Sequence, residues 1–345
     1  MIAYSKPWIT SADINIVESV LRSNMIARGE GVSNYSASLS KFLGMKGGVV
    51  LSSGSSAFVL ALKVLGVGER SEVILPTYVY HVVYYAVIYL GTTPALCDFG
   101  LDWTMTAETI EPYISPRTDA IIVAHIFGVV ADAISIGHFS IPIIEDCYQV
   151  FGANLGGYLA GSIGDIGIYS FDAIKCMSTG EGGFAGTTSQ VLFNKMTALR
   201  DSSVLFCLMT DLQAALGSSQ LKRYTKFVEK RKQLGLRYFV ELPKKLKLHL
   251  QSIKDRIIFF RFPLNGNLDF EAAQEKFSRF GVVVRRGVDN FLHRRINLPD
   301  NLFPNAVKHC NHTLSIPFYP ALKDNEQSRV IRTVSSTWRK NESPY

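Results

Sequence analysis

Residues 163–183 read I-G-D-I-G-I-Y-S-F-D-A-I-K-C-M-S-T-G-E-G-G, and this stretch decides the fold. Residues 166–171 form an apolar run of strand length. Lys175 follows in a short polar segment, and the glycine-rich turn Gly180-Glu181-Gly182-Gly183 comes next. A lysine held off a strand end among apolar neighbours is a candidate Schiff-base lysine, because desolvation lowers its pKa and frees the amine. A surface lysine in a loop is the ordinary alternative, so the assignment rests on the company Lys175 keeps.

Outward from this stretch the chain alternates. Strand-like apolar runs stand at 48–52, 72–76, 94–98, 120–127, 141–146 and 166–171, with one more at 183–187. Helical patterns at 55–66, 80–90, 106–114 and 131–138 lie between them. Strands apolar on both faces belong to a sheet covered by helices on both sides. Two helices precede the sheet, one over 9–24, opened by Thr10-Ser11-Ala12-Asp13, and one over 34–44. From 211 the texture changes. Residues 211–242 read as one long helix with seven Lys/Arg against three acids, a solvated face spanning two domains. The segments 257–262, 268–280, 282–286, 312–316 and 324–340 suggest a smaller α+β domain. The expected division is a large domain over 1–215 and a small one over 216–345.

The chain has 345 residues, 47% of them hydrophobic, enough for a large core. No apolar run reaches membrane-spanning length, and the first residues lack the pattern of a signal peptide. The five cysteines (97, 147, 176, 207, 310) show no paired metal spacing. Reduced thiols in a cytoplasm fit them, and no metal is expected. The net charge of +7 suits a phosphorylated small molecule, an anionic surface or nucleic acid. No nucleic-acid-binding signature accompanies it, so neither nucleic acid nor membrane is expected as a partner. A nicotinamide enzyme would need G-x-G-x-x-G after the first strand, and glycines 152, 156, 157, 161, 164 and 167 do not supply it.

Four features sit at strand ends, where ligands gather in sheets of this type. Ser52-Ser53-Gly54-Ser55-Ser56-Ala57 follows a strand and opens a helix, so its N–H groups and hydroxyls can cradle a phosphate. A serine-rich helix cap is the plain alternative. Pro76-Thr77-Tyr78-Val79-Tyr80-His81 offers an aromatic to stack on a flat ligand, or only core packing. Asp146, ending an apolar strand, needs a cationic partner, either a protonated ring nitrogen or a structural salt bridge. Lys175, with Ser170 five residues before it, completes the set. Cradle, aromatic, acid and lysine are together the parts list for pyridoxal 5'-phosphate. His125 reads as a satisfied core residue. His293, among Arg285, Arg286, Arg294 and Arg295, reads as a solvated charged loop, although such a cluster could also meet a nucleotide diphosphate.

The sequence also resembles the DegT/StrS-type sugar-nucleotide aminotransferases. The resemblance rests on S-S-G-S-S-A at 52–57, the aromatic at 80, I-E-D-C-Y-Q-V-F-G-A at 144–153 and the lysine stretch. It is supported by K-P-W-I-T at 6–10, D-L-Q-A-A-L-G-S-S-Q-L at 211–221 and L-S-I-P-F-Y-P at 314–320. It implies an aspartate-aminotransferase-like (fold type I) α/β domain, its sheet mixed and mostly parallel and covered by helices. It also implies a smaller α+β domain, a homodimer, and amino transfer from L-glutamate to a nucleotide-linked keto-sugar. Carried across, Lys175 would be the Schiff-base and proton-shuttling lysine. Asp146 would hold the ring nitrogen protonated, Gln149 would contact the ring's phenolic oxygen, and Tyr80 would stack on the ring. Ser55, Ser56 and Ser170 would hold the phosphate. One departure stands out. Relatives usually carry a longer loop whose asparagine reaches the neighbouring subunit's phosphate, and here Phe206, Cys207 and Leu208 take its place. That loop motivates a second reading, an accessory or binding subunit that keeps the fold. The intact set of Lys175, Asp146, Gln149 and Ser170 argues against it.

Overall fold

The computed structural model describes residues 1–100, 103–203, 207–243, 246, 260–266, 269–287 and 291–339. The strands are β1 (Gly47–Leu51), β2 (Glu72–Pro76), β3 (Thr93–Cys97), β4 (Thr118–Ala124), β5 (Ile143–Asp146), β6 (Asn154–Leu155), β7 (Tyr158–Leu159), β8 (Ile166–Ser170), β9 (Gly183–Thr187), β10 (Phe262–Asn265) and β11 (Thr313–Ile316). Seven of them make one sheet in the order β1-β9-β8-β5-β4-β2-β3. Its register is parallel throughout except at β9, which runs antiparallel to both β1 and β8. This is the mixed, mostly parallel α/β sheet expected. Its strands are apolar on both faces because helices pack on either side.

The helix expected over 9–24 is Ser11–Ser23, opened by a capping box between Thr10 and Asp13. The helix expected over 34–44 starts earlier, as Glu30–Phe42. Its start is set from afar: the Asp211 carboxylate accepts from Gly29 N and Val32 N, both at 2.9 Å. The single helix expected over 211–242 is two, Asp211–Lys222 and Tyr224–Glu241, broken at Arg223. Arg223 pairs with Asp13, and the Tyr224 hydroxyl donates to the Phe151 carbonyl. The basic face of this stretch is not wholly solvated, since Arg231 is buried and donates to Phe260 O at 2.8 Å.

A separate core gathers Leu234, Tyr238, Phe262, Phe277, Val330 and Trp338 around the antiparallel pair β10–β11, with helices Phe270–Arg279 and Asp324–Arg339. Ile2 joins it, bridging to Val282. Phe291, Leu292, Phe303 and Ala306 instead pack on the core of the main sheet. The segment 282–286 makes two isolated bridges, Ile2 to Val282 and Arg285 to Ser315. Residues 257–259 lie outside the described residues. All five cysteines are free, and only Cys207 is exposed.

Candidate active site

The carboxyl ends of β1, β2, β5 and β8 open on the same edge of the sheet. There the chain between Ser170 and Gly183 forms a tight frame. Phe171 N donates to Gly182 O at 2.8 Å, Thr179 N to Phe171 O at 2.9 Å and Lys175 N to Asp172 O at 3.0 Å. Gly180 turns the chain at φ +82°, where a side chain would be strained. The frame directs the Lys175 amine among rings. Its Nζ lies 4.8 Å from the Tyr148 ring centroid and 5.9 Å from those of Tyr80 and Phe260. Burial pushes the amine down to about 8, and the Arg261 charge acts the same way, while Asp146 and Asp172 oppose both.

Asp146 ends β5 with 4% exposure. Its Oδ1 accepts from Tyr148 N at 3.1 Å. Burial pushes the carboxyl up to about 6, against that hydrogen bond and the charges of Lys175 and His125. Such a carboxylate lacks a full cationic partner. Gln149 Oε1 accepts from Phe127 N at 2.8 Å, with Phe127 held at φ 56°. This spends the carbonyl end of the Gln149 amide and leaves its NH₂ as the donor. Tyr80 precedes the helix His81–Ile88, and its ring, on a side chain 49% exposed, packs on His81 at 4.4 Å.

Beyond β1 the helix Gly54–Val64 begins. Ser53 Oγ accepts from Ser56 N at 3.2 Å and shares a hydrogen bond with Ser56 Oγ at 3.0 Å. Ser56 is thus engaged locally, and Ser55 beside it is half-buried. Gly183 lies so close that a Cβ there would strike Ser53 O, which draws Ser170, paired with Gly183, to the same corner. The 207–208 segment closes this corner. Ser52 N donates to Cys207 O at 2.9 Å, and Leu208 bridges Leu51. Phe206 lies outside the described residues.

A cleft of about 540 Å³ adjoins Tyr80 and Ile174, lined by Tyr4, His81, Arg261, Arg285, Arg286 and Arg295. Arg286 is neutralised by Glu271 at 2.6 Å. Arg261 stacks between Tyr4 and Phe260, at 5.5 and 5.4 Å, and donates to Gly287 O at 2.7 Å. Arg295 donates to the Tyr85 hydroxyl at 2.9 Å. Among the described residues, Arg261, Arg285 and Arg295 have no carboxylate partner. Arg285, Arg294 and Arg295 are exposed, as a solvated loop expects, and Arg285, Arg286 and Arg295 also line the cleft; only His293 departs from that reading. His293 is buried, joined to Thr77 Oγ1 at 2.6 Å and Asp300 at 3.0 Å, and Arg294 pairs with Asp300. A larger cavity, about 840 Å³, opens at the amino ends of β5 and β8 beside Asp165, away from Lys175.

His125 is the satisfied core residue expected. Its Nε2 meets Glu145 at 3.0 Å, and its Nδ1 accepts from Ala131 N at 2.9 Å. Glu145 Oε2 also accepts from Gly161 N, and Oε1 from Ile163 N and Gly164 N. His125, Glu145 and Cys147 bring metal-ligand atoms within 4.8 Å of one another, but those hydrogen bonds already spend the carboxylate.

Tyr148, Phe260 and Arg261, all neighbours of Lys175, escaped the sequence reading. Tyr148 stands inside the quoted aspartate motif, between Asp146 and Gln149, yet nothing in the motif tells where its ring points. Arg261 comes from the segment just before β10, and no local pattern marks it.

The family model described as the DegT/DnrJ/EryC1/StrS aminotransferase family matches residues 7–335. The chain is 26% identical to the spore coat polysaccharide biosynthesis protein SpsC of Bacillus subtilis, over 96% of this chain and 95% of that protein. It is 26% identical to the dTDP-4-dehydro-2,3,6-trideoxy-D-glucose 4-aminotransferase of Saccharopolyspora spinosa, over 99% and 96%. Its fold matches the Streptococcus pneumoniae protein Spr1654, solved in the PMP form, with a TM-score of 0.90 and 24% identity over 98% of each chain.

Proposed function

The chain belongs to the DegT/DnrJ/EryC1/StrS aminotransferase family, and from that premise we propose how its own residues carry the reaction. It is a pyridoxal-phosphate-dependent aminotransferase acting on nucleotide-linked keto-sugars. The observation that carries the assignment of residues is the pairing of a buried, under-partnered Asp146 with the depressed amine of Lys175 at one sheet edge.

These residues fit the cofactor. Asp146 wants a cation, which a protonated pyridine nitrogen is. Lys175, lowered to about 8, gives up its proton more readily than an ordinary lysine and supplies more free amine as pH rises through 8. The start of the helix Gly54–Val64 offers N–H groups and the Ser55 hydroxyl to a phosphate. When bound, pyridoxal phosphate supplies a carbonyl for the amine and a ring that withdraws electrons from the carbon losing its proton.

The rest is the work of the chain. Lys175 takes the proton from the substrate carbon and returns it, a task suited to an amine titrating near 8. Asp146 keeps the proton on the ring nitrogen, and Gln149 donates its NH₂ to the phenolic oxygen. Tyr80 covers the exposed ring face, and Ser55, Ser56 and Ser170 bind the phosphate. The carboxylate-free arginines Arg261, Arg285 and Arg295 receive anionic parts of the substrates, above all the diphosphate of the nucleotide. L-Glutamate is the amino donor. A homodimer is the assembly, supported by the exposed apolar side chains Ile14, Leu21 and Met25 on and after the helix Ser11–Ser23. No helix among the described residues is long and apolar enough to cross a membrane. The free cysteines support a cytoplasmic setting.

An absorption spectrum before and after adding L-glutamate tests this. A visible band that bleaches establishes cofactor and first half-reaction. A band indifferent to glutamate refutes that donor, and no band with added cofactor refutes the site.

A further inference from the structure

Tyr148 has no role in the account above. Its ring is buried, 7% exposed, and meets Phe58 edge-on at 5.6 Å. Its hydroxyl is a buried polar atom without a hydrogen-bond partner, which costs free energy unless a ligand or water meets it. That hydroxyl abuts the first residue of the helix Gly54–Val64: a Cβ on Gly54 would collide with it. Glycine at 54 thus makes room for the hydroxyl at the helix start. There the Ser56 N–H is capped by Ser53, and among the described residues no acceptor meets the Gly54 and Ser55 N–H groups. The other flank of the ring faces Lys175 Nζ.

We infer that Tyr148 is a cofactor-binding residue whose hydroxyl donates to the phosphate seated at the N-terminus of the helix Gly54–Val64, while its ring walls the slot opposite Tyr80. The inference rests on the phosphate-end reading above. Burial, with the charges of Asp146, Tyr80 and Asp172, raises the hydroxyl far above its ordinary range. It therefore keeps its proton beside a phosphate dianion and can only donate to it.

The test compares the cofactor-free wild type with Tyr148→Phe, which keeps the ring and its contact with Phe58. Calorimetry measures binding of pyridoxal 5'-phosphate, of pyridoxal and of inorganic phosphate. The variant should bind pyridoxal phosphate about tenfold more weakly, and pyridoxal within twofold of wild type. Inorganic phosphate should weaken in parallel with the phosphorylated cofactor. The melting temperature of the cofactor-free variant should equal or exceed that of wild type, because an unsatisfied buried hydroxyl is gone. Unchanged pyridoxal-phosphate affinity overturns the inference. So does an equal loss for pyridoxal and its phosphate, which would make Tyr148 a ring contact alone. Failure of the wild type itself to bind pyridoxal phosphate would overturn the phosphate-end reading as well, and is told apart by the wild-type titration.

Discussion

Glu145 and Asp146 are consecutive carboxylates on one strand, both buried, and their surroundings drive them in opposite directions. Glu145 accepts from three backbone N–H groups and meets His125, and its pKa is lowered although burial alone would raise it. Asp146 has one backbone hydrogen bond, and burial pushes it up to about 6. Neighbours on a strand point to opposite faces. One face of β5 is therefore finished as built, and the other is left for a ligand to finish. The difference teaches how to separate structure from function at a glance: satisfied buried charge holds the fold, unsatisfied buried charge awaits a partner.

The contrast can be broken by mutation. Lys175→Ala should lower turnover about a thousandfold or more with the melting temperature held, because its amine serves chemistry rather than packing. Substantial turnover in that variant would put the lysine on the finished side. Asp146→Asn should cut turnover about a hundredfold or more and yet stabilise the cofactor-free protein. The raised carboxyl costs nothing below 3.8; the penalty grows from there to about 6 and is fully present above it. At pH 8 the gain is up to about 3 kcal/mol, read from denaturant melts. A loss of stability would mean that Asp146 is as well partnered as Glu145. Glu145→Gln should do the reverse, costing about 3 kcal/mol of stability while turnover in the surviving folded protein stays within about threefold.

The smallest effect sharpens the comparison through pH. The amine of Lys175 is lowered to about 8 from 10.5, so its reactive form grows as pH rises through 8. The rate at which cofactor-free protein captures pyridoxal phosphate should rise about tenfold between pH 7 and pH 9 and then level. A rise that continues past pH 10 would describe an ordinary exposed lysine.

Much of this was legible in the chain. The central strands were apolar throughout, and Lys175, Asp146, Gln149 and Tyr80 stood beside their ends. Contacts between distant segments were not legible. Periodicity runs unbroken through Arg223, while the partners met at the break, Asp13 and Phe151, lie far away in sequence. His293 looked solvated among arginines until Thr77 sealed it. Arg261 reaches the neighbourhood of Lys175 from a segment far away in sequence, and the direction of the Tyr148 hydroxyl depends on what Gly54 lacks.

The reversed strand has a mechanical meaning. A parallel successor to β8 would need its connection to cross to the far end of the sheet, leaving Lys175 on a long excursion. Because β9 turns back at once, Ser170 and Gly183 stand side by side as fixed posts, and the lysine hangs on a short span anchored at both. Its reach is set by the length of that span. One residue inserted between Ser170 and Gly183 would move the amine off the ring, whereas the longer connections elsewhere in the sheet can absorb such a change.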